Sequence, residues 1–142
     1  MHSLELVNTL RAFLPAEAVL HQSEDLKPYE CDGLSAYRQV PMIVALPQTE
    51  NEIIQVLRIC HAAKTPVVAR GAGTGLSGGA LPHAEGVLLS LAKLKRILEI
   101  DPVARTARVQ PGVRNLAISE AVAPYGLYYA PDPSSQIACS IG

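Results

Sequence analysis

The chain has 142 residues, a formal net charge of −1, and 49% hydrophobic against 18% charged residues. This composition is typical of one folded domain, or part of one, and excludes a disordered chain. The small net charge and the aromatic share of 4% disfavour a nucleic-acid partner, because they provide neither a basic field nor platforms for stacking bases.

The first forty residues predict one helix followed by irregular chain. In residues 4–14 the apolar side chains recur at helical spacing, and Pro15 ends the pattern. Residues 20–39 have no sustained period and predict a loop or short turns. We therefore separate residues 1–40, an N-terminal helix with an irregular segment, from a main domain that begins at residue 41.

A strand–helix–strand unit is predicted next. Residues 42–46 form a continuous apolar run, which favours a strand buried on both faces. Thr49 and Glu52 form a T-x-x-E capping box, and the apolar spacing behind it predicts a helix over residues 50–63. Residues 66–69 predict a second strand, so the unit should be a parallel, right-handed βαβ unit.

Three further strands and a helix are predicted beyond the second strand. Residues 86–90 predict a third strand, and residues 97–100 and 106–110 two more that are joined by a turn. Alternating residues in the last of these predict one solvated face. Residues 113–123 predict a helix, and residues 130–142 are irregular. The expected fold class is α/β, a small parallel sheet flanked by helices and followed by the first strands of a second subdomain.

A glycine-rich loop, R-G-A-G-T-G-L-S-G-G-A, occupies residues 70–80 between the second and third strands. Five glycines in eleven residues allow positive φ angles and let a ligand approach without meeting a β-carbon. Successive N–H groups in such a loop can form an anion-binding concavity, and the hydroxyls of Thr74 and Ser77 add donors. Since a buried phosphate needs such donors, the loop predicts a phosphate or diphosphate site.

Other interpretations of this loop are weaker. A Walker loop needs a lysine, and residues 70–80 contain none. Gly73-x-Gly75-x-x-Gly78 matches the Rossmann pattern, but that pattern needs a helix starting inside it, and Gly79 and Pro82 interrupt one. A non-Rossmann loop whose N–H groups hold a diphosphate directly fits best. A long glycine turn without a ligand is the simplest alternative, and the number of glycines disfavours it.

The three cysteines, Cys31, Cys60 and Cys139, are far apart in the sequence. No C-x-x-C motif occurs and no histidine pair has metal-ligand spacing, so no metal site is predicted and the thiols are expected to be reduced. The N-terminus does not have the pattern of a signal peptide, and residues 40–46, the longest apolar run, are too short to cross a bilayer. We expect no transmembrane segment and a cytoplasmic location.

Two motifs in this order, RGAGTGLSGG and later APDPSSQIACSIG, resemble those of the FAD-binding domain of the vanillyl-alcohol-oxidase/PCMH superfamily. Within it, residues 41–142 are similar to the FAD-linked subunits of bacterial glycolate oxidases and to D-lactate and D-2-hydroxyglutarate dehydrogenases. The resemblance implies a PCMH-type FAD-binding fold, α/β (α+β), of which residues 41–142 form the incomplete N-terminal portion.

The resemblance also implies which residues contact the cofactor. The first loop would wrap the FAD pyrophosphate, chiefly through N–H groups of Arg70, Gly71, Ala72, Gly73, Thr74, Gly75, Leu76, Ser77 and Gly78. A second loop near the flavin would contain Pro131, Asp132, Ser134 and Ser135. The segment along the cofactor would begin with Cys139, Ser140, Ile141 and Gly142. Because the first loop has no histidine, the FAD would be bound non-covalently.

The implied activity is oxidation of a small 2-hydroxy acid, such as glycolate or D-lactate, to the 2-keto acid by hydride transfer to flavin. The implied partners are iron–sulfur and second flavin-binding subunits of a glycolate oxidase complex, which would place the protein in the cytoplasm, peripheral to the inner membrane. The family's substrate-side histidines and metal ligands lie beyond the S-I-G stretch, so no catalytic residue is assigned. A non-catalytic nucleotide-binding module and a truncated, inactive fragment stay open as alternatives.

Several of these residues also have an ordinary structural use. Arg70 could pair with the diphosphate or anchor the end of its strand through a surface salt bridge. Asp132 could cap the turn that follows it. Ser134 and Ser135 are often helix N-caps, and Cys139 would be a small neutral residue.

Overall fold

The computed structural model describes residues 3–142. The strands are β1 (Val19–Leu20), β2 (Ile43–Ala45), β3 (Val67–Arg70), β4 (Val87–Ser90), β5 (Ile97–Asp101) and β6 (Thr106–Val109). The helices are α1 (Ser3–Arg11), α2 (Ser23–Leu26), α3 (Glu50–Ala62) and α4 (Asn115–Val122). Short 3₁₀ turns lie at Ala16–Ala18, Lys27–Tyr29 and Ala123–Tyr125. The expected α/β class is confirmed.

Four strands form the main sheet in the order β1-β2-β4-β3. Strands β2 and β3 both run parallel to β4, and β1 pairs antiparallel with β2. The predicted βαβ unit therefore has parallel strands, but β4 lies between them. Every residue of β4 is buried, which suits the central position of a sheet that is covered on both faces.

Strand β2 is buried on both faces, as its apolar run predicts. Ile43 and Ala45 pack in one core with residues of α1 and α3, including Leu6 and Val56. The opposite face of the sheet packs in a second, smaller core, made of Leu26, Val44 and Leu88. Burial of each such side chain contributes about 1.5–3 kcal/mol, which makes the sheet a firm base for the loops at its ends.

Helix α3 has the predicted Thr49 cap, but the return bond from Glu52 reaches Gln48, one residue before the N-cap. The Thr49 Oγ1 atom accepts a hydrogen bond from the Glu52 N–H (3.1 Å), and the Glu52 carboxylate accepts one from the Gln48 N–H (2.6 Å). The helix ends at Ala62, one residue before the predicted end. Lys64 then takes a positive φ of 52°, the left-handed conformation that commonly ends helices.

The other predicted elements are present with shifted ends. Helix α1 ends at Arg11 rather than at residue 14, and α4 begins at Asn115 rather than at residue 113. Strand β1 was not predicted, because two residues show no periodicity; its pairing with β2 joins the N-terminal segment to the main sheet. The boundary at residue 40 stays a prediction.

The prediction of one solvated and one buried face for β6 is wrong. Thr106, Ala107 and Arg108 are all exposed, and β6 pairs only with β5 in a two-stranded sheet. Alternation creates a half-buried strand only where another layer covers one face, and no described element buries these three residues.

The residues described contain no helix that is both long and apolar enough to cross a membrane.

Replacement of Thr49 by alanine should lower the free energy of unfolding by about 1 kcal/mol, because the Glu52 N–H loses its acceptor at the start of α3. Urea denaturation of Thr49→Ala measures the change. Gln48→Ala is the control, since it removes an exposed side chain and keeps the backbone N–H that Glu52 uses. Equal losses in the two variants would contradict the capping role.

The Cys60 thiol, 1% exposed in the core, gives stability a dependence on alkaline pH. Burial raises its pKa from 9.0 to about 11. The Cys60 thiol therefore ionises at a lower pH in the unfolded chain than in the folded one. Its contribution to the free energy of unfolding is complete below pH 9 and is lost as the pH rises towards 11. The stability advantage of the wild type over Cys60→Ala should shrink by about 1–2 kcal/mol between neutral pH and the upper end of that window. Urea denaturation of both proteins tests this, and a constant difference would contradict it.

Candidate functional site

The glycine-rich loop leaves the main sheet directly after Arg70, the last residue of β3. The carboxyl ends of parallel strands, where this loop lies, are the usual place for ligand sites in open α/β sheets. Gly73 and Gly78 have φ angles of 73° and 75°, which L-amino acids with a β-carbon adopt at a cost. The predicted need for positive φ is therefore confirmed at these two positions.

Most N–H groups of the loop have no partner within the described chain. The Ala72 N–H donates to Ser140 Oγ (2.9 Å), whereas those of residues 73–80 make no hydrogen bond to any of residues 3–142. A β-carbon added at Gly75 or Gly78 would meet no atom within 4 Å. The loop is thus open beside these two glycines, and the described chain does not use the N–H groups of residues 73–80.

Arg70 lies underneath the loop rather than on the surface. Its side chain is 7% exposed, and its Nη2 atom donates to the carbonyl oxygens of Ala80 (2.7 Å) and Tyr29 (3.1 Å). Its Nε has no partner among the described residues. Burial lowers the pKa of the guanidinium, and the nearby Asp32 carboxylate raises it; an arginine nevertheless keeps its charge in proteins. Arg70 therefore closes the loop and places a positive charge below it.

The C-terminal tail packs against the start of the same loop. Ser140 pairs antiparallel with Arg114, and Ser140 Oγ, which accepts from Ala72, donates to the Gly142 carbonyl (3.0 Å). A β-carbon at Gly71 would collide with Gly142 O, so the close approach requires glycine. The two motifs that are distant in sequence are brought together here.

Carbonyl groups of the tail also cap α4. Arg114, the N-cap residue, makes no side-chain capping bond. Instead the N–H groups of Asn115 and Leu116 donate to the carbonyls of Cys139 (3.0 Å) and Gln136 (3.1 Å). Since the first N–H groups of a helix otherwise lack partners, these bonds hold the tail in place.

A cavity of about 730 Å³ lies between the loop, the tail and α4. Its size is within the range of small-molecule sites. Three cationic residues, Arg70, Lys95 and Arg114, are among the described residues that line it, and no acidic residue is. This local excess of positive charge, in a chain of net charge −1, favours an anionic ligand.

The predicted site residues divide into two groups. The first group lies on or next to the cavity, and its lining members are Arg70, Gly71, Ala72 and Ser140. Residues 73–78 continue the same loop. Gly142 lies against Gly71, and the Cys139 carbonyl caps α4. Those away from the cavity lining are Pro131, Asp132, Ser134 and Ser135. The first three of these are exposed, and the carbonyl of Ser135 accepts from Ala138 and Cys139 in a turn. Their role near a flavin stays a prediction.

Sequence reasoning missed four residues at the site. Lys95 and Arg114 line the cavity. The carbonyl oxygen of Tyr29 accepts a hydrogen bond from Arg70, and Gly33 lies against the glycine-rich loop. The turn signal Pro111-Gly112 next to Arg114 could have indicated a close approach there. Nothing in the local sequence of Tyr29 or Gly33 indicates their distant neighbours.

The chain matches known proteins over most of its length. The family model described as FAD binding domain matches residues 41–142. The chain is 64% identical over 133 residues to glycolate oxidase subunit GlcD of Escherichia coli strain K12, covering 94% of this chain and 27% of that protein. It is 34% identical over 134 residues to a D-2-hydroxyglutarate dehydrogenase of Xanthomonas citri pv. viticola, covering 94% of this chain and 28% of the relative.

A solved structure of alkyldihydroxyacetonephosphate synthase superposes on the whole chain with a TM-score of 0.87 at 18% identity, and 28% of that structure is covered. At this identity the likeness concerns the fold alone. The chain spans about a quarter of the length of the curated relatives that it matches, for example 27% of the Escherichia coli glycolate oxidase subunit.

Ser140→Ala should release the N–H of Ala72, because Ser140 Oγ is its acceptor. Hydrogen–deuterium exchange at the Ala72 amide should become faster by about fivefold or more, the size expected for one lost hydrogen bond of about 1 kcal/mol. Ser134→Ala is the control, since Ser134 is exposed and makes no side-chain hydrogen bond to the described chain. Unchanged exchange in Ser140→Ala would show that the tail does not hold the loop.

Proposed function

The chain belongs to the family of FAD binding domains, and on that basis we propose that its glycine-rich loop holds the diphosphate of FAD in a flavin-dependent 2-hydroxy-acid dehydrogenase. The observation that carries the proposal is that the N–H groups of residues 73–80 have no acceptor among residues 3–142, in a loop that is bonded to the buried Arg70. A diphosphate taken out of water needs many donors and a compensating charge. This loop offers both.

The residues present fit that group. The N–H groups of residues 73–78 would face the diphosphate, and Arg70 would compensate its charge from below. Lys95 and Arg114 add positive charge on the adjoining cavity. Two predicted contacts, Ala72 N–H and Ser140 Oγ, are bonded to each other, so either would have to exchange its partner to bind the cofactor.

This chain's own residues would bind and orient the cofactor and exclude water. Bound FAD would supply the acceptor for the hydride from C2 of a 2-hydroxy acid, and the hydroxyl proton would pass to a base, which together gives the 2-keto acid. We assign no residue of this chain to that proton transfer. The binding would be non-covalent, since residues 70–80 contain no histidine.

The relatives support glycolate as the substrate within the 2-hydroxy acids. Identity is 64% to a glycolate oxidase subunit and 34% to a D-2-hydroxyglutarate dehydrogenase. The Escherichia coli relative is named as a subunit of glycolate oxidase, which supports assembly with other chains. We include iron–sulfur and second flavin-binding subunits in the proposal, together with a cytoplasmic location, peripheral to the inner membrane through those partners.

Anaerobic addition of substrate to the purified intact protein tests the activity. The visible absorbance of bound flavin should decrease with glycolate, and less rapidly with D-lactate or D-2-hydroxyglutarate. Bound flavin that none of these acids reduces would contradict the dehydrogenase and favour a non-catalytic FAD-binding module. Absence of flavin from the protein, even after FAD is added, would contradict the cofactor site itself.

Gly75→Asp should weaken FAD binding by about tenfold or more. A carboxylate there lies in the open space beside the loop, and like charges about 4 Å apart repel by about 4 kcal/mol at an effective dielectric constant near 20. Gly75→Asn has nearly the same shape without the charge and is the matched control. Titration with FAD, followed by flavin fluorescence, measures both affinities, and equal affinities would remove the loop from the site.

A further inference from the structure

An N-terminal segment that lies outside the matched domain contacts the glycine-rich loop from behind. The family match begins at residue 41, whereas residues 29–33 reach the loop through two sets of contacts. We propose that residues 29–33, here called the brace, set the shape of the loop and thereby the rate at which the cofactor leaves. This inference rests on the proposed function, because it assumes that the loop holds FAD.

The first contact runs through Arg70. One Nη2 atom donates both to Tyr29 O in the brace and to Ala80 O at the far end of the loop. The guanidinium carbon also lies 5.9 Å from the centre of the Tyr29 ring, within the range of cation–π attraction. One buried cation therefore joins the brace to both ends of the loop.

The second contact is steric. A β-carbon at residue 33 would lie 2.6 Å from the carbonyl oxygen of Thr74 and 2.8 Å from that of Gly75. Gly33 is not among the residues with positive φ, so its backbone alone would accept alanine without strain. Glycine is needed there because the loop lies directly against it.

Asp32 holds Gly33 in this position. Its side chain is 6% exposed, and its Oδ1 atom accepts a hydrogen bond from the Leu34 N–H (2.8 Å). Such a bond two residues ahead fixes a tight turn. Asp32 also lies close enough to act electrostatically on Arg70, so the turn and the cation belong to one buried arrangement.

Further contacts fasten the brace to the chain around it. The Gln39 N–H donates to Glu30 O (2.7 Å), which closes residues 30–39 into a loop. The Glu30 carboxylate pairs with Lys27 (2.8 Å) and Arg38 (3.4 Å). The brace is thus a supported element that can resist movement of the glycine-rich loop.

Gly33→Ala tests the proposal in the intact protein. The added methyl group must displace the Thr74 and Gly75 carbonyls, so FAD should dissociate about tenfold faster, as followed by the recovery of free flavin fluorescence after dilution. The melting temperature of the apoprotein should fall by less than the change in FAD release requires, because the displaced carbonyls lie in the glycine-rich loop, outside both cores. Ser35→Thr, which adds one methyl group at an exposed position nearby, should leave FAD release unchanged.

Arg70→Lys is the second variant, and it decides the question if Gly33→Ala does not fold. It keeps the charge and loses the Nη2 group that donates to both carbonyls, so FAD release should again be faster. Because both variants act through the brace, their effects should not be additive. The double variant should release FAD more slowly than the product of the two single fold-changes predicts.

Wild-type release rates in both single variants would overturn the proposal. A lower melting temperature of the apoprotein that accounts for the whole change in release would also overturn it, since the brace would then be a general stabilising contact. A wild-type protein that retains no FAD would overturn the proposed function, and the brace with it.

Discussion

The buried guanidinium of Arg70 joins three parts of the chain that are far apart in sequence. Arg70 is the last residue of β3. Its guanidinium donates to the carbonyl oxygen of Ala80, the last residue of the glycine-rich loop, and to that of Tyr29 in the N-terminal segment. A buried cation is costly unless it is hydrogen-bonded, and here two carbonyl oxygens share that role. The loop can consequently leave its own N–H groups without internal partners and still keep a defined path.

The sheet below supports this arrangement. Strands β2 and β4 are buried on both faces between two cores, so the end of the neighbouring β3 is fixed to a firm base. The tail adds support from the other side, because its carbonyls cap α4 and Ser140 holds the Ala72 amide. Rigid surroundings lower the ordering cost when a ligand binds, which is the general advantage of a preorganised site.

The distribution of charge also favours an anionic ligand at this loop. The chain as a whole is nearly neutral, yet the cavity beside the loop is lined by three cations and, among the described residues, by no acid. Backbone donors give the geometry for an anion, and the cations give the long-range attraction towards it.

The sequence by itself determined the elements whose signals are local. The apolar run of β2, the Thr49 cap of α3 and the glycines of the loop each act on neighbouring residues, so periodicity and turn chemistry sufficed. Tertiary structure alone decided the insertion of β4 between β2 and β3, the exposure of β6, and the meeting of Arg70 with Tyr29, of Gly33 with Thr74 and of Gly71 with Gly142. These contacts join residues far apart in the chain, and no local pattern encodes a partner that only the packing of the sheet brings near.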